Sequence, residues 1–192
     1  VPLEFWFCRN IGLALPLIAL QYHEVKINLT LNNDSNNNIS VSNVALWADY
    51  IFLDTDERRR FAQLSHEYLI EQVQFTGAES VGASETSKSV KLSFNHPVKE
   101  LIWQRETSTA GTYKSTGKAK LMLNGNDRFA ERDAKYFTHV QPYQHHTNIP
   151  TTNHINVYSF ALKPEEHQPS GTLNMSRIDT AQLKLSEFPT DS

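Results

Sequence analysis

The stretch ALKPEEHQPSGTLNMSRIDT, residues 161–180, indicates the fold more clearly than any other part of the chain. An apolar run ends at Lys163-Pro164, a charged turn follows, and polar and apolar residues then alternate from Ser170 onward. Alternation with a period of two is typical of a half-buried strand, and proline interrupts a strand ladder. The stretch therefore predicts a strand, a turn and a second strand.

Period-two alternation recurs along most of the chain. Every second residue of EVKINLTL, residues 24–31, is apolar, which predicts a half-buried strand. VALWADYIFL, residues 44–53, is apolar on both faces, as in a strand covered on both sides. The other predicted strands are YLIEQVQF, SVKLSF, VKELIWQ, LMLNGNDRF with a hairpin turn at Asn124-Gly125, NVYSFAL and GTLNMSRIDTAQLKL.

One segment, TDERRRFAQL, predicts a helix. Thr55 is the expected N-cap, Asp56 and Glu57 suit the positive N-terminal end, and the arginines that follow form a solvated face. The segment ERDAKYFTHVQPYQHHTNIPTTNH is expected to be mostly irregular, with a short helical turn at its start.

About seven strands, one short helix and no βαβ alternation predict an all-β sandwich or jelly roll with long loops. The loops expected to be exposed or to make contacts are 32–43, 76–89 and 106–120. The 192 residues suit a single domain.

Bulk composition excludes some classes of function. A net charge of −3 and a pI near 6.2 give no electrostatic reason to bind nucleic acid. The apolar segment 11–20 is about half as long as a membrane span and contains Pro16, so it is expected to be a buried loop. Cys8 is the only cysteine, which excludes an intrachain disulfide and favours a buried structural thiol.

The segment GTYKSTGK, residues 111–118, has the composition of a phosphate-binding loop but not its spacing. A P-loop has four residues between its glycines and Ser or Thr after its lysine. Here five residues separate Gly111 from Gly117, and Ala119 follows Lys118. A flexible surface loop is the expected structure.

Four histidines lie in one loop-rich segment, but their spacing does not define a metal site. His145 and His146 are adjacent and would point in opposite directions on a strand, and no HExxH motif is present. A cupin-type metal site remains an alternative to histidines at a surface or subunit contact, which is favoured. No catalytic, cofactor-binding or metal-binding residue is assigned. The four histidines are His139, His145, His146 and His154.

Two further groups of residues have an ordinary explanation. The tryptophans Trp6, Trp47 and Trp103 lie in or beside apolar runs, so core packing is favoured over a sugar-binding platform. The chain also has four N-x-S/T sequons, which matter only if it meets a glycosylation machinery. They begin at Asn28, Asn33, Asn38 and Asn174.

Several segments together resemble the major capsid proteins of large icosahedral double-stranded DNA viruses, especially iridoviruses and their algal-virus relatives. They cover nearly half of the chain. They are PLEFWFCRNIGLALPLIALQYHEVKI at 2–27, NHPVKELIW at 95–103, LMLNGNDRFAERDAKYFTHVQPYQHHT at 121–147 and NVYSFALKPEEHQPSGTLNMSRID at 156–179.

The resemblance implies a non-enzymatic shell protein. Family members have two consecutive jelly rolls, and three subunits form a pseudo-hexagonal capsomer. By this resemblance residues 1–192 are one C-terminal jelly-roll domain, a fragment without the first jelly roll and the last strand. The implied partners are two further copies, neighbouring capsomers and minor capsid proteins, without direct nucleic-acid binding or a membrane-spanning segment. The implied location is the virion, assembled in the host cytoplasm, and the alternative function is a carbohydrate-binding jelly-roll module.

Overall fold

The structure is a computed structural model that describes residues 1–30, 42–82, 84–107, 111–151 and 154–188. It divides into two compact units, Val1–Val73 and Gln74–Ser192. The sequence was interpreted as one domain over residues 1–192, and that assignment stays a prediction. Most of the Asn-rich loop 32–43 lies outside the described residues.

Short elements make up the described chain. The α-helices are α1 (Trp6–Arg9), α2 (Thr55–Gln63) and α3 (Gln141–His145). Ile11–Leu13 and Met175–Arg177 are 3-10 turns, and Tyr136–Val140 is a π-helix. The strands are β1 (Ser87–Lys91), β2 (Pro97–Val98), β3 (Glu100–Trp103), β4 (Arg105–Glu106), β5 (Tyr113–Lys114), β6 (Lys118–Leu123), β7 (Asn126–Asp127), β8 (Arg132–Asp133), β9 (Asn156–Ser159), β10 (Leu173–Asn174) and β11 (Ala181–Ser186).

The predicted helix in the first unit is confirmed as α2, but its cap lies one residue earlier. The N-cap is Asp54, whose side chain accepts from the Glu57 backbone N–H at 2.8 Å. The Glu57 carboxylate accepts in turn from the Asp54 backbone N–H at 3.0 Å. This capping box satisfies two backbone donors at the helix start. The helix surface is solvated, as predicted for the arginines.

The predicted strands of the first unit are wrong for the described residues. Residues 24–30, 44–53 and 68–73 contain no strand, and most of their side chains are exposed. Trp47 and Phe52 are each 92% exposed. Alternation encodes which face a strand would bury, but a strand also needs a neighbour to accept its backbone hydrogen bonds. The described part of this unit supplies no such neighbour.

An antiparallel sheet forms the centre of the second unit. Its strand order is β1-β11-β6-β7, and β8 also pairs with β6. Three two-stranded pairs lie outside this sheet: β2 with β10, β3 with β9, and β4 with β5. The described residues thus contain eleven short strands instead of about seven, because bends and turns divide the predicted longer strands.

The core of the second unit follows from register and alternation. Leu183 on β11 lies opposite Leu121 on β6, and both side chains are buried. The residues that flank them on β11, Gln182 and Lys184, are exposed. The core joins side chains of β6 and β11 to those of β3, β9, the π-helix and the 3-10 turn Met175–Arg177. Its buried members are Leu101, Ala119, Leu121, Phe137, Tyr158, Met175, Ala181 and Leu183.

Residues 136–145 are more helical than the sequence predicted. The π-helix continues directly into α3, and it places Phe137 in the core with no exposed surface. The Phe137 ring lies 5.1 Å from Trp103 and 5.5 Å from Phe129 between centroids. Burial of this aromatic side chain outweighs the weak helical propensity of the segment.

Candidate functional site

The stretch 161–180 lies between β9 and β11 of the second unit. Residues 162–170, called here the 162–170 loop, form a closed turn between β9 and β10. The Ser170 hydroxyl accepts from the Lys163 backbone N–H at 2.8 Å and donates to the Lys163 carbonyl oxygen at 3.2 Å. The predicted turn is present, but the first strand, β9, already ends at Ser159, before the stretch begins, and the second strand, β10, has only two residues.

Polar contacts hold the 162–170 loop against the unit. Lys99 Nζ donates to the Glu166 carbonyl oxygen at 2.7 Å, and His145 Nδ1 lies 2.9 Å from the Leu162 carbonyl oxygen. Glu165 Oε2 accepts from the backbone N–H of Thr147 at 3.1 Å and also from its hydroxyl. These contacts come from residues 17 to 67 positions away along the chain, so tertiary structure and not local sequence fixes the loop.

His146 lies between two carboxylates. Its Nε2 is 2.6 Å from Glu100 Oε1, and its Nδ1 is 3.0 Å from Glu165 Oε1. Burial raises the pKa of the Glu100 carboxyl, against the lowering effect of His146. Hydrogen bonds from the Thr147 side chain and His146 lower the pKa of Glu165. No local motif in the sequence distinguishes these two glutamates.

The predicted Asn124-Gly125 turn is confirmed, and it also fixes the end of the 161–180 stretch. Both turn residues have positive φ, 50° and 79°, which is typical of a two-residue hairpin. Asn124 Oδ1 accepts from the backbone N–H groups of Asp179 and Thr180 at 2.9 and 3.1 Å. The turn therefore positions the chain where it enters β11.

The segment 111–118 is not the simple surface loop that was predicted. Thr116 has no exposed surface, and its hydroxyl donates to Asn156 Oδ1 at 3.1 Å. Asn156, also fully buried, donates to the Trp103 carbonyl oxygen. Burying a hydroxyl and an amide requires such partners. These polar contacts tie the segment to β3 and β9.

The four candidate histidines do not converge. His139 contacts the neighbouring Thr138, His145 and His146 face the 162–170 loop, and the His154 ring lies 6.5 Å from Tyr113. Among the described residues, no group of three His, Cys, Asp or Glu side chains has a geometry that could hold a metal ion.

Other sequence expectations have mixed outcomes. Cys8 is exposed, so the prediction of a buried thiol is wrong; it lies in α1, which has no buried residue. Trp103 packs against the core as predicted and Trp6 is half-buried, but Trp47 is exposed. In segment 11–20 only Leu13 is buried, and Ile11 is 78% exposed.

Two sequons lie in the described chain. Asn28 is exposed, whereas Asn174 lies in β10, where its side-chain oxygen accepts from the Ser176 backbone N–H. The sequons at Asn33 and Asn38 lie outside the described residues. As for membranes, none of the helices in the described ranges has the length and apolar character that a span requires.

Comparison with known proteins identifies the family. The family described as large eukaryotic DNA virus major capsid protein matches residues 57–189, and the family described as major capsid protein N-terminus matches residues 1–54. The major capsid protein of Pyramimonas orientalis virus is 56% identical over 100% of this chain and 54% of its own length. The major capsid protein of Tipula iridescent virus is 25% identical over 95% of this chain and 50% of its own length.

A solved structure agrees with these relatives. A quasi-atomic model of the PBCV-1 virus capsid has a TM-score of 0.79 and 41% identity, over 100% of this chain and 58% of that chain. The predicted fold class, an all-β jelly roll, is confirmed, and so is the resemblance on which it partly rested. The chain spans about half the length of the relatives it matches. It belongs to the major capsid protein family of large eukaryotic DNA viruses.

Proposed function

We propose that this chain is a structural part of a major capsid protein and contributes to an icosahedral virus shell. The family match over residues 57–189 carries the proposal, because it spans nearly the whole second unit. The fold shared with the PBCV-1 capsid over all of this chain supports it. In this proposal the second unit is the C-terminal jelly roll, and the chain resides in the virion.

A non-enzymatic role is part of the proposal. Several polar side chains of the second unit are engaged with each other or with backbone groups, as Thr116 and Asn156 are. Glu165 is held by Thr147 and His146 within one loop contact. Such pairs fix local structure, which is what a rigid shell subunit requires.

Assembly is the finer part of the proposal. We infer that three copies form a pseudo-hexagonal capsomer, which contacts neighbouring capsomers and minor capsid proteins. Large exposed apolar side chains are the candidates for these contacts, because burial of apolar surface drives most protein–protein association. In the second unit these include Ile102, Tyr143 and Leu162, which are 65%, 77% and 72% exposed.

The test is to express the complete reading frame that contains this chain and to measure its mass by native mass spectrometry. A mass three times that of one subunit, with hexagonal outlines in electron micrographs, is the expected result. A monomer would contradict the assembly proposal. Glycan-array binding by such a monomer would favour the carbohydrate-binding alternative. Stoichiometric metal that is lost in His145→Ala or His154→Ala would favour the cupin-like alternative.

A further inference from the structure

His146 connects three separate elements of the second unit. It is the C-cap of α3, Glu100 begins β3, and Glu165 belongs to the 162–170 loop. The side chains of His146 and Glu100 are 15% and 17% exposed, while that of Glu165 is 45% exposed. A single imidazole ring thus joins the loop to the edge of the core, with one carboxylate inside and the other near solvent.

The two contacts require a specific number of protons. A neutral imidazole has one N–H and one lone pair, so it can donate to only one of two carboxylates. The other ring nitrogen would then face a carboxylate oxygen at hydrogen-bond distance with no proton between them. Both contacts are satisfied when His146, Glu100 and Glu165 together carry one proton more than a neutral imidazole and two carboxylates do. That proton lies either on the His146 ring or on the Glu100 carboxyl.

The burial of Glu100 is consistent with retention of this proton. Burial raises the pKa of Glu100, which favours a proton on the Glu100–His146 pair. Other charged or titratable groups face the cluster from the loop and from α3. A polar cavity of about 280 Å³ adjoins the cluster and gives solvent access to it. The groups nearby are His145, Lys163 and Glu166, which line that cavity, and Lys99, whose Nζ bonds the Glu166 carbonyl oxygen.

We propose that the His146–Glu100–Glu165 cluster is a pH switch that holds the 162–170 loop against β3 while it retains the shared proton. When pH rises and the proton leaves, one of the two contacts becomes repulsive and the loop opens. Other contacts of the loop remain: Lys99 and His145 contact its backbone carbonyl oxygens, and Thr147 donates to the Glu165 carboxylate. They do not depend on the charge of His146, so the switch loosens the loop without unfolding the unit.

The test uses amide hydrogen exchange of the 192-residue chain between about pH 6 and about pH 9, a range that spans histidine titration. Rates are corrected for the intrinsic effect of pH on exchange. Protection of the 162–170 loop is expected to fall about tenfold or more across this range, since it loses a charge-assisted contact. Protection of β11 is expected to stay constant.

His146→Gln is the principal variant, because glutamine cannot gain a proton. Its loop is expected to be less protected at neutral pH and to show no pH dependence. His139→Gln is the matched control: it removes a nearby histidine that contacts only Thr138 among the described hydrogen bonds. The control is expected to keep the response of the unmodified chain.

Two results would overturn the proposal. One is loop protection that stays constant with pH in the unmodified chain, and the other is a response in His146→Gln equal to that of the unmodified chain. If His146→Gln loses protection in β11 and so fails to fold, Glu165→Gln takes its place. It removes the half-exposed carboxylate, weakens proton retention, and is expected to open the loop at lower pH. An unshifted opening would also overturn the proposal.

Discussion

The two units contain similar alternating segments, and only one of them turns alternation into strands. In the second unit Leu121 and Leu183 face each other across a β-ladder and are almost fully buried. In the first unit the alternating segment 24–30 has no ladder, and Val25, Ile27 and Leu29 are exposed. Alternation therefore specifies a face, whereas a neighbouring strand decides whether that face is buried.

The largest expected effect comes from removing a buried ring. Phe137→Ala is expected to lower the free energy of unfolding by about 3–5 kcal/mol, because it leaves a cavity among Trp103, Phe129 and Tyr136. Trp47→Ala, which truncates an exposed ring, is expected to change it by less than about 0.5 kcal/mol. Urea unfolding measures both. Equal losses would show that the contrast between the two units is wrong.

A smaller effect is expected at a glycine of the second unit. Gly117 has a φ of 72°, and a Cβ there would lie 2.2 Å from the Glu187 carbonyl oxygen. Gly117→Ala is therefore expected to cost about 2–4 kcal/mol, through left-handed strain and displacement of the end of β11. Gly125→Ala is the control, since it has a similar φ of 79° with no atom within 4 Å of the added carbon. If the midpoint of thermal unfolding falls equally in Gly117→Ala and Gly125→Ala, the close approach to the Glu187 carbonyl oxygen is not the cause of the lost stability.

In the first unit the helix cap gives the clearest expected change. Asp54→Ala is expected to destabilise α2 by about 1 kcal/mol, because it removes the acceptor of the Glu57 N–H. Thr55→Ala, at the position that the sequence alone favoured, is expected to change the stability of α2 by only about a few tenths of a kcal/mol. Amide exchange within α2 compares the two. A larger effect at Thr55 would restore the original assignment.

The smallest expected effect depends on pH. The pKa of Glu165 is lowered in the folded chain, so its contribution to stability is present above the ordinary value of 4.5 and is lost as pH falls through the lowered one. Glu100, with a raised pKa, contributes in the opposite direction. Glu165→Gln is expected to flatten the acid side of the stability curve by less than about 1 kcal/mol, because the side chain is half-exposed. Unfolding midpoints in acid measure this.

Glu166→Gln is the control for that acid measurement. Glu166 pairs with Lys163 at 3.1 Å, and both side chains are largely exposed, so screening leaves the pair little effect. If the stability curve is unchanged in Glu165→Gln but flattened in Glu166→Gln, the acid dependence comes from Glu166, and the prediction for Glu165 is wrong.

The sequence predicts what local chemistry determines. The Asn124-Gly125 turn, the helix after Asp54 and the strand at 156–159 follow from turn residues, a cap and an apolar run. The family resemblance extends this to the fold class, since it uses many segments at once. Its success does not depend on the position of any one strand.

Contacts between distant residues are what the sequence does not predict. Thr116 meets Asn156 across 40 positions, and His146 meets Glu100 across 46. Neither pair has a spacing that marks it, because register and loop closure bring the residues together only in the folded chain. The strands predicted in the first unit are wrong for the same reason, because strand pairing depends on two segments and not on the pattern of one.

The Asn124 side chain has a consequence for the order of folding. A two-residue hairpin turn closes within microseconds, whereas β11 must reach β6 across a chain of about sixty residues. We expect the amide oxygen of Asn124 to be in place first and to receive Asp179 and Thr180 as β11 arrives. A slip of one residue would turn Leu183 toward solvent and Lys184 toward the core. The Asn124 side-chain amide thus selects the register of β11, which pairs with β6 long after the hairpin at residues 124–125 has formed.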